Sequence, residues 1–188
     1  MANIWVISDT HFGHENFLKF MHKGHKVRDF ADAKQMDEFM IEQWNSVVMP
    51  GDKVYHLGDV YFGSEENAQY CLSALRGKKR LILGNHDMGK SKVLHQHFEK
   101  INMWRVWKNE RILFSHVPCH PSNLTIGISE DKFPNWEDRP KAFFMNVHGH
   151  IHSNPSPEGP YFNACVEWHN YKPIHMDVLV DAAKKFQG

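Results

Sequence analysis

The chain is predicted to be mixed α/β, and three observations carry that prediction. Short apolar runs closed by glycine or aspartate recur through the first half, amphipathic stretches at helical spacing separate them, and the second half turns to strand-like segments. Asn3 to Ser8, Val54 to Leu57 and Arg80 to Leu83 are the buried strands of the first half. Between them Met36, Phe39, Met40, Trp44 and Val47 recur at helix spacing, as do Ala68, Cys71, Leu72 and Leu75, with Gly77 as the expected C-cap. Strand, helix, strand, helix, strand makes a parallel sheet, and such sheets collect ligands beyond the carboxyl ends of their strands. After a short helix over Ser91 to Phe98, the segments Met103 to Trp107, Arg111 to Ser115, Phe143 to Val147 and Tyr161 to Val166 form a second sheet, with Asn109-Glu110 as a hairpin turn. Met176 to Phe186 is the closing helix.

A chain of 188 residues is expected to fold as one domain, 1–188. Its 22 basic and 22 acidic residues give a formal net charge of zero. No global basic field therefore drives nonspecific nucleic-acid binding, and a polymer would have to be held locally. Lys19, Lys23, Lys26 and Arg28 with His22 and His25 form a basic cluster that reads as a solvated loop, a phosphate contact being the alternative. Cys71, Cys119 and Cys165 are odd in number and lack C-x-x-C spacing, against both a disulfide framework and a thiolate zinc site. The N-terminus runs directly into a strand rather than a signal peptide, and no apolar run approaches the ~20 residues of a membrane span. A cytoplasmic protein without membrane association is expected.

The chemistry lies where the strands end. In order the chain carries Asp9-Thr10-His11, Gly58-Asp59, Gly84-Asn85-His86-Asp87, His116 and Gly149-His150-Ile151-His152. These are oxygen and imidazole donors, which suit a pair of divalent ions such as Mn, Fe, Zn or Ni better than a structural zinc knuckle. A dinuclear site needs a bridging ligand, and the two oxygens of a carboxylate provide one; Asp59, central in the order, is the candidate. Taken singly, Asp9 is equally a helix N-cap, and Gly58-Asp59 or Asn85-His86 ordinary turns. With 15 histidines in the chain any one of them is a weak signal; the ordered set, each block closing an apolar run, is a strong one.

The five blocks resemble the D-x-H, G-D, G-N-H-D/E, H and G-H-x-H series of the calcineurin-like metallophosphoesterases, and the likeness spans residues 9–152. It implies a two-sheet β-sandwich flanked by helices, with a dinuclear metal site at the sheet edge. It further implies that Asp9, His11 and His152 hold one metal, that Asn85, His116 and His150 hold the other, and that Asp59 joins them. His86 would stand beside the metals to stabilise or protonate the leaving oxygen. Asp87 is expected either to orient His86 or a ligand imidazole, or to cap the following helix.

The implied reaction is hydrolysis of a phosphodiester, cyclic nucleotides included, or of a phosphomonoester, by a hydroxide bridging the metals. The Gly58-Asp59-Val60-Tyr61-Phe62-Gly63 block lacks the second aspartate and the arginine of G-D-x-x-D-R-G, which argues against a protein phosphatase. The chain looks like the small stand-alone bacterial and phage-type phosphoesterases. Two other classes stay open. A nuclease acting on single strands or ends would use the same metals, with the neutral charge against it, and a noncatalytic metal-binding scaffold is set against a complete ligand series. Substrate contacts are expected from His14 and from the loop 117–142, which is anchored between ligands and carries His120, Phe133, Trp136 and Arg139. The expected partner is a small phosphoester or nucleotide.

Overall fold

A computed structural model describes residues 2–125, 135 and 142–186. Its strands are, in chain order, β1 (Ile4–Ile7), β2 (Met21–His22), β3 (His25–Lys26), β4 (Lys53–His56), β5 (Lys78–Ile82), β6 (Phe98–Asn102), β7 (Trp104–Trp107), β8 (Ile112–Ser115), β9 (Met145–His148), β10 (Tyr161–Asn163) and β11 (Ile174–His175). The helices are α1 (Ala33–Asn45), α2 (Glu65–Ala74), α3 (Lys92–His97) and α4 (Met176–Lys184). Asp32, Ser64 and Ser91 start the first three by accepting backbone N–H groups with their side chains.

Two mixed sheets result. The first has the order β11-β1-β4-β5-β6, parallel from β1 to β6 with β11 antiparallel to β1. The second has the order β10-β9-β8-β7, in which β8, β9 and β10 are parallel and β7 is antiparallel to β8. Strand alternation sorts their side chains between layers. Val6, Tyr55 and Ile82 face Ile112, Phe114 and Val147 across the sandwich, with Leu179 of α4 closing that core. Their neighbours Ile7, Val54 and Leu81 point the other way, onto Met36, Met40 and Trp44 of α1 and Leu72 of α2. The expected two-sheet sandwich flanked by helices is therefore the fold, and β1, β4, β5, β8 and β9 deliver five loops from their carboxyl ends.

Several local expectations change. Strand β6 follows α3 directly and adds a parallel edge to the first sheet; its residues alternate too weakly in polarity to announce it. Strand β11 is two residues long, below what periodicity detects. The segment 161–166 is a strand only to Asn163, and Val166–Trp168 is a 3-10 turn. Gly77 is not the cap of α2. That helix stops at Ala74 with Leu75 already extended, and Gly77, at φ +85°, turns the chain into β5. The basic cluster is not wholly solvated either, because Arg28 is completely buried.

Candidate metal centre

The five loops bring all seven expected donors to one place and hold five of them in uncommon backbone. Among the described residues nine non-glycine residues have positive φ, and five of them are Asp9, His11, Asp59, His150 and His152. Left-handed backbone in L-residues is disfavoured and persists where the surroundings over-determine it. Here the determinants are hydrogen bonds between loops: Asp9 N–H donates to Gly58 O and His11 N–H to Asp59 O, each at 3.0 Å, and Gly149 N–H donates to His116 O at 2.8 Å.

The donor atoms form two groups that share one carboxylate. His11 Nε2 lies 3.9 Å from Asp9 Oδ1 and 3.6 Å from Asp59 Oδ2, and His152 Nε2 lies 3.7 Å from Asp9 Oδ1. On the other side Asp59 Oδ2 is 3.4 Å from His116 Nε2, while Asn85 Oδ1 is 2.9 Å from both His116 Nε2 and His150 Nδ1. Asp59 Oδ2 thus stands between His11 and His116.

Several features of these groups fit a cation. Asp9 Oδ1 and both ring nitrogens of His11 are buried without a hydrogen-bond partner, a costly state unless something else satisfies them. Burial pushes the Asp9 carboxyl up and the His11 imidazole down to about 2, which keeps the His11 lone pair available. Burial opposes the charge of Asp59 as well, but the hydrogen bond and charge of His116 hold its carboxyl below the usual range. His116 Nδ1 is 2.8 Å from Leu57 O, an acceptor only, so Nδ1 carries the proton and Nε2 faces the cluster. Buried His and Asp clusters of this kind are what a metal site requires.

Two glycines of the blocks are there for space rather than for turning. A Cβ on Gly84 would overlap the carboxylate and backbone N of Asp59, and one on Gly149 would overlap Ser8 and the Asp9 carboxylate. Asp87 does something other than either role expected of it. Its Oδ2 accepts the N–H groups of Asp59 at 2.9 Å and Gly84 at 2.8 Å, and its Oδ1 that of Val60 at 2.9 Å. It ties the two loops together and sets the Asp59 backbone, rather than aligning an imidazole.

His86 is exposed at the edge of the cluster, its ring 5.8 Å from His11 and 5.3 Å from Phe62, while its N–H donates to Asp59 Oδ1 at 2.9 Å. His14 is stacked on Phe62 at 4.2 Å and lies 5.6 Å from His11. Its Nδ1 accepts from Phe17 N at 3.2 Å, which leaves the proton on Nε2. His120 is engaged as the N-cap of a 3-10 turn, Pro121–Leu124, with Nδ1 2.8 Å from Ser122 Oγ. Trp136, Arg139 and Phe133 lie outside the described residues.

Sequence reasoning missed three residues behind the cluster. Arg28 donates through Nη1 to Thr10 O at 2.7 Å and through Nη2 to Asp9 O, and its Nη2 meets Glu167 Oε1 at 2.7 Å. Glu167 in turn is 3.2 Å from His152 Nδ1. Burial alone would raise the Glu167 carboxyl; the adjacent Arg28 guanidinium brings it down to about 2. Cys165 Sγ sits 3.3 Å from Asp9 Oδ2 and donates to it, and that oxygen also accepts the His150 N–H at 2.9 Å. The ring nitrogens gather on Oδ1 instead, and burial beside Asp9 and Glu167 pushes the Cys165 thiol up, so Cys165 supports Asp9 as a thiol. Separations such as the 139 residues between Arg28 and Glu167 leave no local signal for any of these contacts.

Residues 2–173 match the family model described as calcineurin-like phosphoesterase. The chain is 31% identical over 194 residues to an uncharacterized protein of Methanocaldococcus jannaschii, covering 98% of this chain and 93% of the relative. It is 30% identical to the gene 66 protein of Mycobacterium phage L5, over 81% of this chain and 79% of that protein. Among solved structures, a protein of unknown function from Aquifex aeolicus superposes with a TM-score of 0.68 at 30% identity, covering 96% of this chain and 99% of that one. Together with the clustered blocks, these matches make the chain a member of the calcineurin-like phosphoesterase family.

Proposed function

We propose that this chain is a dinuclear metal-dependent phosphoesterase acting on a small phosphodiester, cyclic nucleotides included, or a phosphomonoester. The observation that carries the reading is the position of Asp59 Oδ2, 3.6 Å from His11 Nε2 and 3.4 Å from His116 Nε2, which makes one oxygen common to two donor groups. Asp9, His11 and His152 hold one ion, Asn85, His116 and His150 the other, and Asp59 both. Two divalent ions, drawn from Mn, Fe, Zn or Ni, supply when bound charge neutralisation at the phosphoryl oxygens and a water acidic enough to attack near neutral pH.

The chain's own residues do the rest. Three of the ligands are fixed from behind, Asp9 by His150 N–H and Cys165, His116 by Leu57 O, and His152 by Glu167, so these donors are arranged before substrate arrives. His86 is exposed where a departing ester oxygen would emerge, and it protonates or hydrogen-bonds that oxygen; its neighbours Phe62 and His11 limit where the ring can go. His14, held on Phe62 with its Nε2 proton available, is placed to contact the substrate. Cys71, Cys119 and Cys165 are free thiols. Among the described residues no helix is long and apolar enough to cross a membrane.

Elemental analysis with a hydrolysis panel tests the reading. Two ions per chain are expected, with turnover of a p-nitrophenyl diester or monoester that chelation abolishes and metal restores. Metal-loaded protein inert toward monoesters, linear diesters and 2′,3′- and 3′,5′-cyclic nucleotides would overturn it in favour of a scaffold. Single-stranded DNA or RNA cleaved in preference to all of these would favour a nuclease.

A further inference from the structure

A cavity of about 550 Å³ opens beside the candidate metal centre and shares Asn85 and His116 with it. The rest of its wall is chiefly apolar, from Leu83, Trp104, Val106, Leu113, Val117 and Phe143, and no Asp, Glu, Lys or Arg lines it among the described residues. Met103 at its mouth is 60% exposed, Trp104 65% and Val117 46%. Apolar side chains scattered singly over a surface need no explanation, but several gathered around a concavity next to convergent polar groups mark a ligand site. The volume and lining suit a flat apolar group better than a second phosphate, which would find no charged partner among the described residues.

The cleft also divides the loop after β5. It takes Gly84 and Asn85 but not His86, whose ring neighbours are His11 and Phe62. Asn85 therefore stands between two different surroundings: an apolar cleft on one side, and on the other an edge of imidazoles and Phe62. A phosphodiester carries two ester groups, and this site offers each a separate place.

Building on the phosphoesterase reading, we propose that the cleft binds an aromatic ester group of a phosphodiester, a simple aryl ring or a nucleobase, which stays bound while the other ester oxygen departs beside His86. Binding is tested with phosphonates, which are not turned over. Calorimetry on the metal-loaded protein should show phenylphosphonate binding about tenfold more tightly than methylphosphonate, the order expected for burying one ring. Trp104→Ala, and independently Met103→Asp, should bring the ratio close to one with metal content unchanged; both side chains are exposed, so neither change threatens folding. Equal affinities in the unaltered protein, no binding of either phosphonate, or a ratio indifferent to both substitutions would overturn the proposal.

Hydrolysis adds an independent arm with a constant leaving group. The p-nitrophenyl diesters of phenol and of thymidine should both have lower KM than that of methanol, and the lower of the two identifies the aryl or the nucleobase as the preferred occupant. A methyl diester with the lowest KM counts against the cleft. Should the phosphonate ratio hold while neither diesters nor monoesters are cleaved, the cleft stands as a site for an aromatic ester group, and the phosphoesterase reading, with departure beside His86, fails.

Discussion

Glu167 Oε1 lies 3.2 Å from Nδ1 of His152, and the carboxylate, held ionised by Arg28, makes that nitrogen a donor. Nε2 of His152 is thereby left with its lone pair toward Asp9 Oδ1, 3.7 Å away. A carboxylate behind a ligand imidazole fixes both tautomer and ring orientation, and such partners are worth roughly 10- to 100-fold in metal affinity. Glu167→Gln should weaken the ion proposed at Asp9, His11 and His152 by about that factor, while the ion proposed at Asn85, His116 and His150 is retained. Stepwise metal titration followed by calorimetry checks this. Equal weakening of both ions would show that Glu167 supports the fold rather than His152.

Arg28 is completely buried, and its guanidinium joins Glu167 to the carbonyls of Asp9 and Thr10 while resting 4.2 Å over the Phe17 ring. Removing one member of a buried ion pair strands the other, at a cost of about 3–5 kcal/mol. Arg28→Ala should lose that much stability in urea unfolding. Adding Glu167→Ala should cost far less than the sum of the two single changes, since it removes the stranded charge. Simple additivity would mean that the pair contributes nothing specific.

Asp59 and His86 separate binding from chemistry. Asp59→Ala removes the oxygen common to both donor groups and should abolish activity and weaken both metals. His86→Ala removes an exposed ring whose backbone N–H still serves Asp59, so the metals should stay while kcat falls by roughly 10²- to 10⁴-fold. Elemental analysis beside single-turnover rates distinguishes the two. Full metal occupancy in Asp59→Ala, or metal loss in His86→Ala, reverses the assignment.

What the sequence reveals of this site follows physical range. Asp9, Asp59 and Asn85 close apolar runs, so strand periodicity and residue type locate them together, and the ordered blocks place His116, His150 and His152 against them. Arg28 and Glu167 are invisible by the same logic: one lies in a basic stretch that resembles a solvated loop, the other in a three-residue 3-10 turn, and only folding brings them within 2.7 Å. Asp87 is legible as part of a motif, yet its acceptance of three backbone N–H groups depends on how closely the Gly58 and Gly84 loops approach. Strand β6, with only Phe98 buried and Ile101 half-buried, has the weak alternation of an edge.

Gly84 and Gly149 give the last prediction, because neither offers a side-chain donor to the proposed centre. A methyl on Gly84 would collide with Asp59 backbone and carboxylate, and one on Gly149 with the Ser8 side chain and the Asp9 carboxylate, all of them buried. Neither glycine has positive φ, so alanine meets no left-handed penalty at either position and the effect expected is that of the collision. Gly84→Ala should therefore displace Asp59 and weaken both ions, whereas Gly149→Ala should displace Asp9 and weaken chiefly the ion it shares with His11 and His152. Gly51→Ala serves as control, since a Cβ there meets nothing within 4 Å. Metal stoichiometry after dialysis against a weak chelator reads the result. If both variants keep two ions at full occupancy, the close approach of these loops is not what sets the geometry of the centre.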